Sequence, residues 1–109
     1  METLTMKDIK RLLIANRGEI AVRIAQTAHQ LGIDTVGIYS TSDQNALHVD
    51  TVDAAIYLPG NSLSETYLNS NKIIEIAQQN DCDAIHPGYG FLAENAQFAQ
   101  SVNDAGLIW

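Results

Sequence analysis

Short runs of consecutive apolar residues, separated by amphipathic stretches, constrain the fold of this chain more than any other feature. The runs lie at residues 12–15, 35–39, 54–58 and 84–86. Strands that are apolar at successive positions are covered on both faces, which is typical of a parallel sheet. Right-handed β-α-β crossovers then place helices on both faces. The pattern predicts an α/β fold, a three-layer Rossmann-like sandwich with an open parallel sheet.

The stretches between these runs carry apolar residues at helical spacing. In residues 18–31 the side chains of Ile20, Ile24, Ala28 and Leu31 fall on one predicted inward face, with Ala21 and Ala25 beside them. Asn16, followed three residues later by Glu19, resembles a capping box at the start of this helix. A second helix is predicted to begin at residue 64 or 66 and to end at residue 79, and a third to span residues 94–104. A last strand is predicted at residues 107–109. We therefore expect about five strands.

The chain has 109 residues, which is enough for one compact domain and too few for two. Residues 1–9 are predicted to be a flexible polar leader, and residues 10–109 to be the domain. The apolar run at residues 107–109 is one that a strand would normally continue. We therefore expect the chain to be a fragment of a longer protein.

The charge balance excludes several kinds of partner. Acidic residues outnumber basic ones 13 to 6, for a formal net charge of −7. Such a domain is repelled by phosphate, so neither nucleic acid nor an anionic membrane is expected as a partner. The single cysteine, Cys82, excludes an internal disulfide and fits a reducing, cytoplasmic location. Its acidic neighbours, Asp81 and Asp83, predict an inert thiol with a raised pKa.

One candidate loop, residues 16–21, directly follows the first predicted strand. Ligands of open α/β sheets bind beyond this end of the strands. The loop has one glycine, and Glu19 would face a pyrophosphate with like charge, so it is not a dinucleotide fingerprint. From spacing alone it is interpreted as a capped turn with a solvated Arg17.

The second candidate loop, residues 86–95, follows the fourth predicted strand. Its glycines, Gly88 and Gly90, allow the backbone to approach a ligand closely. Tyr89 between them could lie across a flat ring or could cover the core. Local chemistry leaves both interpretations open.

The three histidines do not show zinc-site spacing. His29 is predicted to be exposed on the polar side of a helix. His48 lies in a polar loop with no partner that the sequence reveals. His86, at a strand end before Pro87, is more typical of a structural histidine than of a ligand.

These two loops resemble the signatures of a known family. Residues 10–24, which include IANRGEIAVRI, resemble the opening of biotin carboxylases, and HPGYGFLAEN at residues 86–95 resembles their second signature. The resemblance covers residues 10–109. Residues 91–109 are most similar to acyl-CoA carboxylase alpha chains, with acetyl-CoA or propionyl-CoA as the first candidate acceptor. Methylcrotonyl-CoA, pyruvate and urea carboxylases stay open, because acceptor choice lies in a separate carboxyltransferase.

The resemblance implies the domain that precedes the ATP-grasp fold. In the family, ATP activates bicarbonate as carboxyphosphate, and biotin on a carrier domain captures the CO2. It therefore implies biotin, ATP and Mg²⁺ or Mn²⁺ as cofactors of the full-length enzyme, with none bound to the fragment. The family's ATP-binding lysines, metal ligands and catalytic base lie further along, so this chain alone is expected to hold no catalytic residue and to be inactive.

The resemblance also implies roles for residues of the second loop. Tyr89 and Gly90 would border the biotin pocket. His86, Pro87 and Gly88 would support that loop and position them.

Other positions bear on partners. The resemblance implies a homodimer with Arg23 in its interface, besides a biotin carboxyl carrier domain and a carboxyltransferase subunit. Gln26 and Gln30 stand where bacterial acetyl-CoA carboxylase subunits carry a basic and an acidic residue. Ala93 replaces a serine that could cap the last helix.

Two other functions are kept beside this one. The chain could be the leading domain of another ATP-grasp ligase, which would not explain the Tyr89 loop. It could also be a free-standing doubly wound binding module, which would have to fold cooperatively without more chain.

Overall fold

The computed structural model describes residues 9–109, so the predicted leader, apart from Ile9, lies outside the described residues. The described part contains one parallel sheet of four strands in the order β3-β2-β1-β4. The strands are β1 (Arg11–Ile14), β2 (Asp34–Tyr39), β3 (Ala54–Tyr57) and β4 (Ala84–His86). The predicted α/β class with an open parallel sheet is confirmed.

Helices connect these strands. They are α1 (Gly18–Gln30), α2 (Leu47–Thr51), α3 (Ser70–Gln79) and α4 (Ala96–Asp104). Helix α3 begins later than predicted, because Leu63–Glu65 forms a separate 3₁₀ turn and Asn69 caps the helix by accepting a hydrogen bond from the Lys72 N–H. Helix α4 is capped by Asn95, which accepts from the Phe98 N–H at 2.9 Å. Its cap therefore does not depend on the serine that Ala93 replaces.

Each face of the sheet has its own core. On one face, helices α3 and α4 bury Ile73 and Phe98 against strand residues such as Leu13 and Ile38. On the other face, three alanines of α1 pack against Leu12 and Ile14 of β1. The three alanines are Ala21, Ala25 and Ala28. The three-layer arrangement follows from these two cores.

The apolar stripe of α1 is wider than its buried face. The buried residues are Ala21, Val22, Ala25 and Ala28. Ile20 and Ile24, predicted to face inward, are only half-buried, and Leu31 is 70% exposed. The small alanines bring the helix close to the sheet, so the larger side chains beside them remain at the surface.

The predicted fifth strand is reduced to a single bridge within the described residues. Ile108 pairs in parallel with Ala84. The Ile108 carbonyl accepts a hydrogen bond from the Ile85 N–H at 2.9 Å, and the Ile108 N–H donates to the Asp83 carbonyl at 2.9 Å. Trp109 packs edge-on against Phe98, with ring centroids 5.2 Å apart. The residues therefore stand where a fifth strand would pair, without forming one.

The strand order places a topological switch point between β1 and β4. The chain adds β2 and then β3 on one side of β1, and returns to place β4 on the other side. The loops that follow β1 and β4 lead to helices on opposite faces of the sheet. Ligands of open α/β folds bind at such a position.

Candidate functional site

Asn16 begins the turn that follows β1, and it is 2% exposed. Its Nδ2 donates to the carbonyls of Pro87 at 2.8 Å and Tyr89 at 2.7 Å. Its Oδ1 accepts from the Arg17 N–H at 2.8 Å. The predicted capping box is therefore wrong: Arg17 is the N-cap of α1 and makes no side-chain cap bond, and the Asn16 amide is committed to the second loop.

Arg17 is not simply solvated, as the spacing had suggested. Its Nε and Nη2 donate to the two oxygens of Asp43 at 2.6 and 2.5 Å. The hydrogen-bonded guanidinium lowers the pKa of Asp43 to about 2. The bidentate pair fixes the turn to the segment after β2, although the guanidinium itself stays half-exposed.

Tyr67 completes the environment of Asp43. Its hydroxyl donates to Asp43 Oδ2 at 2.6 Å and accepts from the Ser40 N–H at 3.2 Å. Burial raises the pKa of Tyr67 to about 12, so the hydroxyl remains a donor at neutral pH. Asp43 is thus a buried carboxylate with partners on both oxygens.

His48 holds the same turn from another side. It is fully buried. Its Nε2 lies 3.0 Å from the Ile38 carbonyl, which can only accept, so Nε2 carries the proton. Its Nδ1 then accepts from the Gly18 N–H at 3.3 Å. These partners are distant in the sequence, which is why sequence reasoning found none for this histidine.

The other two histidines lie nearer the surface. His29 is exposed, as predicted, and its Nε2 is 3.1 Å from Asp53 Oδ2. His86 Nδ1 accepts from the Gly88 N–H at 3.1 Å, and partial burial lowers the pKa of this imidazole. His86 therefore helps to shape the turn that follows β4.

The loop after β4 presents Tyr89 to solvent. Its side chain is 79% exposed, so it does not cover the core. Gly88 and Gly90 on either side have φ values of +68° and +69°. A Cβ at Gly88 would lie 2.8 Å from both Asn16 Nδ2 and Ile20 Cγ2, so this glycine is needed for space as well as for φ.

Phe91 fixes the far end of this loop. It is a non-glycine residue with φ of +45°. Its ring stacks on Tyr67, with centroids 5.2 Å apart and planes 13° from parallel. The loop is therefore held at both ends, by Asn16 on one side of Tyr89 and by Tyr67 on the other.

A groove of about 570 Å³ runs between this loop and helix α1. Tyr89, Gly88 and His86 line one side of it. Residues of α1 and its neighbourhood line the remainder, including Ile20, Arg23, Ile24 and Leu31. The lining is mainly apolar, and Arg23 supplies its one guanidinium.

Cys82 takes no part in this site. Its side chain is buried in the opposite core. Burial, with smaller contributions from Asp83 and Asp81, raises its pKa to about 11. The predicted raised pKa is confirmed, with burial rather than the acidic neighbours as the larger cause.

Residues 9–109 contain neither a metal-binding cluster nor a membrane-spanning helix. No group of three or more His, Cys, Asp or Glu side chains there is placed to hold a metal ion. No helix in that range combines the length and apolarity needed to cross a membrane.

Comparison with known proteins identifies the fold around this groove. The family model for the biotin carboxylase N-terminal domain matches residues 8–109. The chain belongs to this family. The recognised resemblance is confirmed, and the matched residues include both loops described above.

Relatives show the same domain in larger proteins. Biotin carboxylase 1 of Bacillus subtilis is 54% identical over 101 residues, which cover 93% of this chain and 22% of the relative. The biotin-dependent acyl-coenzyme A carboxylase alpha3 subunit of Mycobacterium leprae is 50% identical over 101 residues, 93% of this chain and 17% of the relative. The chain thus spans about a fifth of the length of these two relatives.

A solved structure agrees. The biotin carboxylase domain of the 2-oxoglutarate carboxylase from Hydrogenobacter thermophilus, in complex with MgADP, ADP and bicarbonate, has a TM-score of 0.87 and 44% identity. The match covers 93% of this chain and 22% of that one. This chain is therefore the N-terminal domain of a biotin carboxylase, and proteins named for different acceptors share it.

Proposed function

We propose that the protein carboxylates carrier-bound biotin with ATP and bicarbonate, and that this domain supplies one wall of the biotin pocket. The observation that carries the proposal is the 79% exposure of Tyr89 at the switch point of the sheet. An exposed aromatic ring held by a supported loop at a ligand-binding edge is suited to contact a flat ring system. The bicyclic ring of biotin has that shape.

The proposed roles follow the loop residue by residue. Tyr89 and Gly90 contact biotin, because the ring is exposed and the space beside Gly90 is open. His86, Pro87 and Gly88 support them through the His86–Gly88 hydrogen bond and the Pro87 carbonyl, which accepts from Asn16. None of these residues is proposed to be catalytic.

ATP and Mg²⁺ or Mn²⁺ are proposed as cofactors of the whole enzyme. ATP would supply the phosphoryl group that activates bicarbonate as carboxyphosphate. Phosphoryl transfer needs cations at the phosphates, and the described residues show no cluster for a divalent cation. We therefore propose that this chain alone has no bicarbonate-dependent ATP cleavage, and that other parts of the enzyme bind the nucleotide and metal.

The test is a pair of tyrosine variants in the full-length carboxylase that carries this domain. Tyr89→Ala removes the proposed contact and is expected to raise KM for free biotin about tenfold. Tyr57→Ala is the matched control, because Tyr57 is also partly exposed at the C-terminal end of a strand but lies far from the groove. Equal KM values for the two variants would contradict the role of Tyr89.

Three partners are proposed: a biotin carboxyl carrier domain, a carboxyltransferase and a second copy of the enzyme. The exposed apolar stripe of α1 beside Arg23 supports the homodimer, because such a stripe is normally covered in an assembly. Arg23→Glu in the full-length enzyme is expected to lower the mass measured by light scattering toward that of a monomer. An unchanged dimer would remove Arg23 from the interface.

The acceptor and the compartment are also proposals. The similarity to an acyl-CoA carboxylase subunit supports an acyl-CoA as acceptor, with acetyl-CoA or propionyl-CoA first. The single buried cysteine supports a cytoplasmic location. Carboxylation assays of the complete enzyme with each acyl-CoA, pyruvate and urea would separate the acceptors.

A further inference from the structure

One buried amide connects the β1–α1 turn to the loop that carries Tyr89. Both acceptors of the Asn16 Nδ2 group are carbonyls of that loop, those of Pro87 and Tyr89. Its Oδ1 has a donor in the Arg17 N–H. Carbonyls only accept and a backbone N–H only donates, so this arrangement has one consistent amide orientation. Every polar atom of this 2%-exposed side chain is therefore engaged.

The two carbonyls lie on either side of Gly88. The missing Cβ of this glycine is what leaves room for the amide, because a Cβ there would lie 2.8 Å from Asn16 Nδ2. Gly88, Gly90 and Phe91 all have positive φ. Backbone in such conformations persists where its surroundings determine it, and Asn16 is one of the side chains that bond to this part of the loop.

We propose that Asn16 is a positioning residue that sets the direction in which the Tyr89 ring projects from the loop. The inference rests on the proposed function, in which that ring contacts biotin. One hydrogen bond ends on the carbonyl of residue 89 itself. The amide therefore holds the backbone from which the ring projects.

The turn that carries Asn16 is itself immobilised. Arg17 is paired with Asp43, and the Gly18 N–H is bonded to His48. An amide on a mobile turn would transmit no direction to Tyr89, whereas this one is attached to the sheet and to two buried side chains. A site held by a supporting set of hydrogen bonds keeps the geometry that binding needs.

The test is a double-mutant cycle in the full-length carboxylase, with free biotin as the probe. Asn16→Ala is expected to raise KM for biotin about fivefold, since the ring remains but loses its direction. In the Tyr89→Ala background, Asn16→Ala is expected to raise KM by less than about twofold more, because the residue acts through the ring.

Asn69→Ala is the matched control. Asn69 also makes a side-chain hydrogen bond to backbone, at the start of α3, but it lies away from the groove. It is expected to leave KM for biotin unchanged. An Asn16→Ala effect equal to that of Asn69→Ala, or one that persists in full without Tyr89, would overturn the inference.

A second readout separates this inference from the proposed function. Hydrogen–deuterium exchange of peptides spanning residues 86–91 is expected to be faster in Asn16→Ala than in Asn69→Ala, whether or not biotin binds there. If exchange rises but Tyr89→Ala leaves KM unchanged, the proposed biotin contact is wrong. If Tyr89→Ala raises KM and neither exchange nor KM responds to Asn16→Ala, the positioning role is wrong.

Should Asn16→Ala not fold, Asn16→Ser, which keeps a small polar group, takes its place in the same assays with the same two outcomes.

Discussion

The turn after β1 and the loop after β4 lie side by side at the same edge of the sheet, yet they are built in opposite ways. In the turn, Asn16 is buried with every polar atom paired, and the side chain of Arg17 is held by Asp43. In the loop, Tyr89 is 79% exposed, and its neighbours are glycines at positive φ. The first region is fixed to the core, and the second carries a ring into solvent.

This difference assigns separate physical tasks to two stretches of similar appearance in the sequence. Buried polar groups specify a unique arrangement when all of them are satisfied. An exposed ring contributes little to folding and is free to contact a ligand. Stability should therefore depend mainly on the buried pairs in and around the turn, and direct contact with biotin on the exposed ring of the loop. Three experiments test this difference between the turn and the loop, in order from the largest expected effect to the smallest.

The largest effect on stability is expected from Asp43→Ala. The substitution leaves the buried Tyr67 hydroxyl without its acceptor and removes the partner of Arg17. We expect a loss of about 3 kcal/mol in the free energy of unfolding, measured by urea denaturation. Tyr89→Ala, in contrast, should change it by less than about 0.5 kcal/mol. Similar losses for the two variants would remove the distinction between the regions.

The second prediction concerns the loss of stability at low pH. The folded-state pKa of Asp43 is about 2, below its ordinary value of 3.8, so the unfolded state binds a proton more readily. Its contribution to stability, about 2 kcal/mol, is complete above pH 4 and is lost as the pH falls toward 2. The difference in unfolding free energy between the original chain and Asp43→Asn should therefore shrink over that range. A difference that does not depend on pH would contradict this linkage.

The smallest expected effect is a difference in stability cost between alanine substitutions at the two glycines of the loop. Gly88 and Gly90 share the same backbone conformation, so Ala at either position should cost about 1 kcal/mol in backbone strain. Only at Gly88 would the new Cβ meet other atoms, those of Asn16 and Ile20. Gly88→Ala should therefore cost about 1 kcal/mol more than Gly90→Ala in the same denaturation experiment. Equal costs would show that the turn does not press against this loop.

Much of the fold could be predicted because its signals are local. Consecutive apolar residues place four strands, and the strands lie within a residue or so of the expected positions. Predictions failed where a neighbour in space decided the outcome. Helix α1 buries its alanines and leaves Leu31 exposed, and the apolar end of the chain forms a bridge at Ile108 instead of a strand.

The candidate site divides in the same way. The glycines around Tyr89 mark a loop of unusual backbone from the sequence alone, but whether the ring faces the core or solvent is a property of packing. The pairing of Arg17 with Asp43, and of Gly18 with His48, joins residues 26 and 30 positions apart. No local pattern distinguishes such a pair from the other polar residues of the chain.

The order of apolar runs and helical stretches determined the class of fold, the family, and the two loops that meet at the edge of the sheet, because hydrophobic periodicity and motifs are written in neighbouring residues. The tertiary structure alone decided that Asn16 bonds to the Tyr89 loop instead of capping a helix, and that the ring stands in solvent beside a groove. Those outcomes depend on which atoms the parallel pairing of β1 and β4 brings within hydrogen-bonding distance, and that pairing unites segments about 70 residues apart.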